Sequence, residues 1–291
     1  VSHKALLPVA GVPMLTRVLR ALAAVEGLER IAVSIDRPDV LAELAELRDD
    51  ATSPPLEVHI SRESPAASVL DFLTGRPADE TVLVTTADHP LLTGAALGYF
   101  RDAVARSSAD AVVGVVTEDT LRAAGRDAPR RAFPNAWGRE TSRGEGVAGD
   151  DGGRWPPEPA LGASRRTLFP LRGERIAGAN LFALRGEGGR RAAAFWRRTE
   201  GLRKRPWRLV ALFGPVPLTL LALGRLDLEG ALARASARMG ARLEAVRLPF
   251  AECAVDVDRP EDLELVYRVL RSRETRDPRS AESEEEERPA R

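Results

Sequence analysis

The sequence has one cysteine, Cys253, in 291 residues. No internal disulfide is possible, and a cysteine-based zinc site is excluded. Histidine is scarce as well. His3, His59 and His89 are widely spaced and make no metal-ligand pattern. An excess of either charge is also lacking, because 43 Lys and Arg balance 43 Asp and Glu. No chain-wide basic field exists to hold nucleic acid, so an anionic ligand needs a local site. Long apolar runs are missing too. The best candidate, Leu209 to Gly224, is about 16 residues, short of the ~20 that a spanning helix needs. Pro215 and Pro217 interrupt it, and Arg208 and Arg225 bracket it. It reads as two short buried helices with a break, not as a membrane anchor. With no signal peptide and no internal repeat, these absences predict a cytoplasmic protein, long enough for a substantial core.

What is present is an alternation. Apolar residues at Leu15, Val18, Leu19, Leu22 and Val25 have helical spacing. "IAVSI" (31–35) reads as a buried strand, 38–47 as a helix with Pro38 in its first turn, and 56–60 as a strand. "SPAASVLDFL" (64–73) opens a helix at a Ser-Pro cap signal. Strand 81–86, a helix near 93–106 and strand 110–116 follow. Strands and helices that alternate with short connections predict a mostly parallel sheet with helices on both faces. From 120 to 164, Arg, Gly, Pro and Asp dominate, which predicts a mobile insertion. Beyond it the pattern predicts strand 178–184, helices near 188–202, 207–222 and 227–239, strands 241–248 and 253–258, and helix 259–270. Residues 1–270 read as one domain. Residues 271–291, with "EEEE" at 284–287, read as a disordered tail.

Ligands of an open α/β sheet bind beyond the carboxyl ends of its strands. Three aspartates fall at such ends. Asp88 ends the strand in "VTTADHPLLT", where it either faces a ligand or caps the turn into Pro90. Asp256 and Asp258, two apart in "VDVD", would point to one face of a strand. Asp258 has an alternative as the cap of the helix that starts near Pro260. Asp256 lies inside the strand, where an unpaired carboxylate is costly, so it is the better candidate for a cation. Carboxylates from two strand ends make a hard oxygen site of the kind Mg²⁺ takes together with waters and phosphates. Lys4, before a short apolar run, is placed to meet phosphate oxygens as a mobile point charge.

These stretches together resemble a family. "KALLPVAGVPML" is similar to the lysine end of the signature that opens the MobA-like nucleotidyltransferases, the group typified by molybdenum cofactor guanylyltransferase. "SPAASVLDFL" resembles their second nucleotide-contacting segment, and "VTTADHPLLT" the strand that carries their metal-binding aspartate. "VDVDRPEDLELV" resembles their closing motif. The resemblance runs from Lys4 to about Leu270, without the 120–164 insertion. It implies a three-layer α/β/α nucleotidyltransferase fold. It also implies Mg²⁺-dependent transfer of a nucleoside monophosphate from an NTP to a small phosphorylated acceptor, with release of pyrophosphate. Carried onto this chain, it assigns Lys4 to the phosphates and Ala66, Ala67 and Ser68 to the nucleotide pocket. Asp88 and Asp256 would bind Mg²⁺, with Lys4 and Asp88 the catalytic pair. Gly178 and Asn180, in "GANL", would lie on the acceptor side.

The family begins with a strand and a Gly-rich phosphate loop just before the lysine, and here only Val1, Ser2 and His3 precede Lys4. The expectation is therefore a fold without its first strand, either as a truncated reading or as a degenerate nucleotide-binding module. A nucleotide-sugar glycosyltransferase is the other enzyme class considered, but its usual Asp-x-Asp after a strand is replaced here by Asp88-His89-Pro90.

Overall fold

A computed structural model describes residues 3–41, 54–124, 168–200 and 215–274. The chain enters through a 3₁₀ turn, Lys4–Leu6, whose Ala5 and Leu6 are buried. A tight hairpin follows, β1 (Pro8–Val9) with β2 (Val12–Pro13). Its two turn residues, Ala10 and Gly11, have φ of 47° and 74°. The Arg17 guanidinium braces the turn by donating to the Val9 carbonyl from Nε at 3.1 Å and Nη2 at 2.8 Å. Helix α1 (Met14–Ala23) then buries Leu15, Val18 and Leu19, as their spacing predicts.

Strands β3 (Ile31–Ile35) and β4 (Leu56–Ile60) pair in parallel as a sheet of their own. Helix α2 (Pro65–Thr74) starts where Ser64 caps it, with Oγ accepting from the Ala67 N–H at 3.2 Å. The main sheet contains β5 (Thr81–Val84), β6 (Ala111–Thr117), β7 (Phe169–Leu171), β8 (Glu174–Arg185) and β9 (Leu243–Arg247). Its order is β5-β8-β6-β9, with β7 paired to β8. The mostly parallel expectation is corrected here. Strand β8 is antiparallel to β5, β6 and β7, and only β6 with β9 is parallel. The cause is the β7–β8 hairpin, which reverses the chain around Gly173 at φ 89° before β8 enters the sheet.

Helices cover both faces. On one, α1 and α3 (Gly94–Arg106) pack over Val112, Val116 and Ala183 around the buried Phe100. On the other, α2 and α5 (Gly186–Glu200) cover Ala111, Leu184, Val82 and Val84. Strand β6 is buried along nearly all its length, as a central strand should be.

Several expectations shift at their boundaries: most of the helix expected at 38–47 lies outside the described residues, and the closing helix runs to Glu274, past the expected domain end at 270, with 275–291 outside the described residues. Helix α4 (Glu118–Ala124) extends order past residue 120, and the rest of the expected insertion lies outside the described residues. Helix α6 (Pro215–Ala222) is the described part of the apolar run 209–224, and the expected burial is corrected there, since Val216 is 57% exposed and Leu223, just past the helix, 61% exposed; α7 (Leu228–Met239) follows an Asp227 cap. The expected strand at 253–258 is a 3₁₀ turn, Ala251–Ala254, followed by extended chain into α8 (Pro260–Glu274). Among the described residues no helix is long and apolar enough to cross a membrane.

Strands β3 and β5 are not hydrogen-bonded to each other, yet consecutive residues reach the ends of both. His3 Nε2 meets Asp36, just past β3, at 3.1 Å, and Lys4 Nζ meets Asp88, past β5, at 2.9 Å. Beside β5, Leu22, Leu83, Val84 and Thr85 line a small cavity, and Thr85 Oγ1 is buried there without a partner among the described residues.

Candidate active site

The carboxyl ends of the strands gather one charged centre. Lys4 is held there by its turn. Ala5 and Leu6 anchor it in the core, and His3 Nδ1 accepts from the Ala5 N–H at 3.2 Å. The Lys4 ammonium donates to Asp88 Oδ2 at 2.9 Å and to Asp258 Oδ1 at 2.8 Å. The second oxygen of Asp88 accepts from the Thr86 hydroxyl at 2.6 Å. Asp88 is thus oriented through both oxygens, and its side chain is only 25% exposed. Burial pushes the Asp88 carboxyl up. The Thr86 hydroxyl and the Lys4 ammonium together outweigh that, and they hold it below the ordinary carboxylate value. For Lys4, desolvation acts downward, and the bonds to Asp258 and Asp88 reverse it, leaving the ammonium above its ordinary value.

The expected partner of Asp88 was Asp256, and the structure brings Asp258 instead. Two contacts explain this. The Val257 N–H donates to the Asp88 carbonyl at 2.9 Å, which lays the 255–258 stretch beside the end of β5. The cap of α8 is supplied by Asp262, whose Oδ2 accepts from the Arg259 N–H at 2.9 Å and the Asp258 N–H at 3.2 Å. An acid at the third helical position that reaches back to the cap is half of a capping box. Relieved of capping, the Asp258 carboxylate turns to Lys4. Asp256 makes no hydrogen bond or ion pair with another described residue.

The structure places the nucleotide-pocket candidates in the first turn of α2. Ala66, Ala67 and Ser68 are buried. Ser68 Oγ accepts from the Arg62 N–H at 2.8 Å and donates to the Ser64 carbonyl at 2.9 Å. The Ser68 hydroxyl therefore ties the 61–64 loop to the first turn of α2. That loop follows β4, joined to β3 by Ser61 N–H to Ile35 carbonyl at 3.0 Å.

Gly178 and Asn180 sit on a bulge. Val113 of β6 pairs with Phe182 and Val115 with Gly178, so three residues of β8 face Gly114 alone. A Cβ on Gly114 would stand 3.1 Å from Leu181 Cβ and 3.1 Å from a Leu248 methyl, so a side chain there would have to push its neighbours aside by a few tenths of an ångström. At its tip Asn180 has φ 47°, a conformation asparagine tolerates better than most residues. Its amide nitrogen lies 2.8 Å from Nε2 of His89, which is 1% exposed. His89 was not singled out from the sequence. Its place next to Asp88 was the available signal. Gly178 is exposed, and a Cβ there would meet nothing within 4 Å.

This centre, beyond a strand end and built from a lysine and two aspartates, stands where α/β folds bind ligands. The MobA-like NTP transferase domain family matches residues 2–200. The chain belongs to that family. No curated protein matches it. Among solved structures, a hypothetical transferase from Thermus thermophilus is 28% identical, with 90% of this chain and 91% of that one covered at a TM-score of 0.64. 4-Diphosphocytidyl-2C-methyl-D-erythritol synthase from Anaerococcus prevotii is 11% identical, with 92% and 93% covered at a TM-score of 0.50, a likeness of fold alone. The family match ends at residue 200, so Asp258 lies beyond it.

Proposed function

We propose that the protein is a nucleotidyltransferase that moves a nucleoside monophosphate from an NTP to a small phosphorylated acceptor and releases pyrophosphate. One observation carries this reading: a single ammonium bridges Asp88 and Asp258 beyond the end of β5, in a chain of this family. Two carboxylates fit Mg²⁺, which is usually held by one or two such groups together with substrate phosphates and waters. Among the described residues no group of three or more His, Cys, Asp or Glu gathers. Asp88 and Asp258 would hold the ion, with Asp258 taking the part first given to Asp256. Bound there, Mg²⁺ supplies charge stabilisation at the phosphate that reacts.

The remaining roles fall to the chain's own groups. Lys4 meets phosphate oxygens as a point charge. Thr86 holds the Asp88 carboxylate in one orientation. The first turn of α2, with Ala66, Ala67 and Ser68, borders the nucleotide. Gly178 leaves room beside the β8 bulge, and Asn180 offers its amide to the acceptor.

The test is pyrophosphate release with a panel of NTPs and phosphorylated acceptors. Asp88→Asn should reduce turnover by about 10² or more, the size of losing a group that acts on the transition state. NTP binding with no pyrophosphate release from any pairing would favour a binding module instead.

A further inference from the structure

Lysine is almost absent from this chain. Of its 43 cationic residues two are lysine, Lys4 and Lys204, and the rest are arginine. Carboxylates elsewhere are held by arginine, Asp71 by Arg62 and Glu174 and Glu229 by Arg247. Between Asp88 and Asp258 the cation is Lys4, at 2.9 and 2.8 Å. Guanidinium is the better carboxylate partner, because its planar fork gives two parallel hydrogen bonds. An ammonium is a compact point charge on a flexible stem, with one contact to each carboxylate. That is how a metal ion shared by the same two oxygens would be bound. Lys4 therefore stands at the cation's position.

The surroundings suit an exchange. Asp88 Oδ1 is held by Thr86, so Oδ2 alone changes partner when Lys4 leaves. The Lys4 side chain is 45% exposed and swings on its own stem, while Ala5 and Leu6 keep its backbone in the core. A divalent ion arriving alone would break both ion pairs and leave the ammonium unpaired beside a dication. A triphosphate arriving with the ion gives the ammonium new anionic oxygens within reach.

We propose that the Lys4 ammonium is the resident counter-ion of the Asp88–Asp258 pair, exchanged for a divalent cation only when phosphate oxygens take it over, so that metal and triphosphate enter the site together. This rests on the metal-site reading above. Lys4 then has two posts, one on the carboxylates in the free protein and one on the phosphates in the loaded one. Arginine at residue 4 would fix the first and impede the second.

The test reads binding directly. Mn²⁺ affinity is measured by electron paramagnetic resonance, without nucleotide, for the full chain and for Lys4→Met and Lys4→Arg. Lys4→Met should bind Mn²⁺ about tenfold more tightly or better, the ordinary size of a coupling between two ligands. Lys4→Arg should gain nothing. Lysine labelled with ¹⁵N gives two side-chain signals. Mg²⁺ alone should leave that of Lys4 in place, and Mg²⁺ with inorganic triphosphate should shift it. Equal Mn²⁺ affinity in the parent chain and Lys4→Met overturns the proposal, as does a Lys4 signal that moves with Mg²⁺ alone. Adding Asp88→Asn to Lys4→Met should abolish the gain. If the gain survives, the ion sits elsewhere, and the metal-site reading falls together with the proposal.

Discussion

The Val257 N–H donates to the Asp88 carbonyl at 2.9 Å, tying a stretch near the end of the chain to the end of a sheet strand. This backbone bond decides which aspartate of "VDVD" reaches the site. It also makes the site depend on how α8 is seated.

Asp88→Asn and Asp258→Asn should both weaken Mg²⁺-linked NTP binding, and Asp256→Asn should spare it. The loss should be larger for Asp88, the more buried of the two and the one held by Thr86. Calorimetry with and without Mg²⁺ checks the order. Loss in Asp256→Asn with none in Asp258→Asn would reverse the assignment.

Asp262→Ala should cost about 1 kcal/mol, the usual worth of a helix-cap bond. The expected outcome is a lower Tm together with weaker Mg²⁺-linked binding, because the Asp258 and Arg259 N–H groups lose their acceptor and the approach to α8 loosens. Asp262→Asn, which keeps an acceptor oxygen, should recover most of both.

Asn180→Ala should destabilise the protein by about 1–2 kcal/mol, since alanine lacks asparagine's tolerance of left-handed backbone. Asn180→Gly removes the same amide without that strain. Comparing the two in thermal unfolding and in acceptor KM separates the backbone role from the binding role. Equal stability in both would show that the bulge is not strained.

The Asp88–Lys4 pair sets a pH window. The Asp88 carboxyl is held below its ordinary 3.8, so its contribution to stability is present above that value and lost as pH falls through the lower folded-state value. Lys4 is held above 10.5, so its contribution is present below that value and lost as pH rises through the higher one. The Tm gap between the parent chain and Asp88→Asn should therefore be flat from about pH 5 to 10 and close outside it. A gap that closes near pH 7 would mean another group controls the pair.

Much of the framework was legible because periodicity is local. "IAVSI" alternates, and it is a strand buried at Ile31, Val33 and Ile35. "SPAAS" signals a cap, and Ser64 is one. What was not legible depended on contacts between distant segments. The direction of β8 follows from its hairpin with β7, which the helix–strand rhythm does not encode. "CAVDVD" has the composition of a strand, but Cys253 sits in a 3₁₀ turn and, among the described residues, no strand pairs with the segment. Asp258 and Asp262 are both within cap reach of α8 in sequence. Only Lys4 and the Val257 bond, each from across the fold, separate their roles. The motif marks Ser68 as a nucleotide-pocket residue, and it does not encode the bonds its hydroxyl makes to the Arg62 N–H and the Ser64 carbonyl.

The two bonds of Lys4 span 84 and 254 residues of sequence. On a ribosome adding roughly 5–20 residues per second, Asp258 is synthesised about 13–50 s after Lys4. During that interval a nascent chain can hold at most the Lys4–Asp88 half of the centre. Every product of premature termination before residue 258 would carry Lys4 and Asp88 without the Asp258 carboxylate. Completion of the site is thereby coupled to completion of translation up to α8.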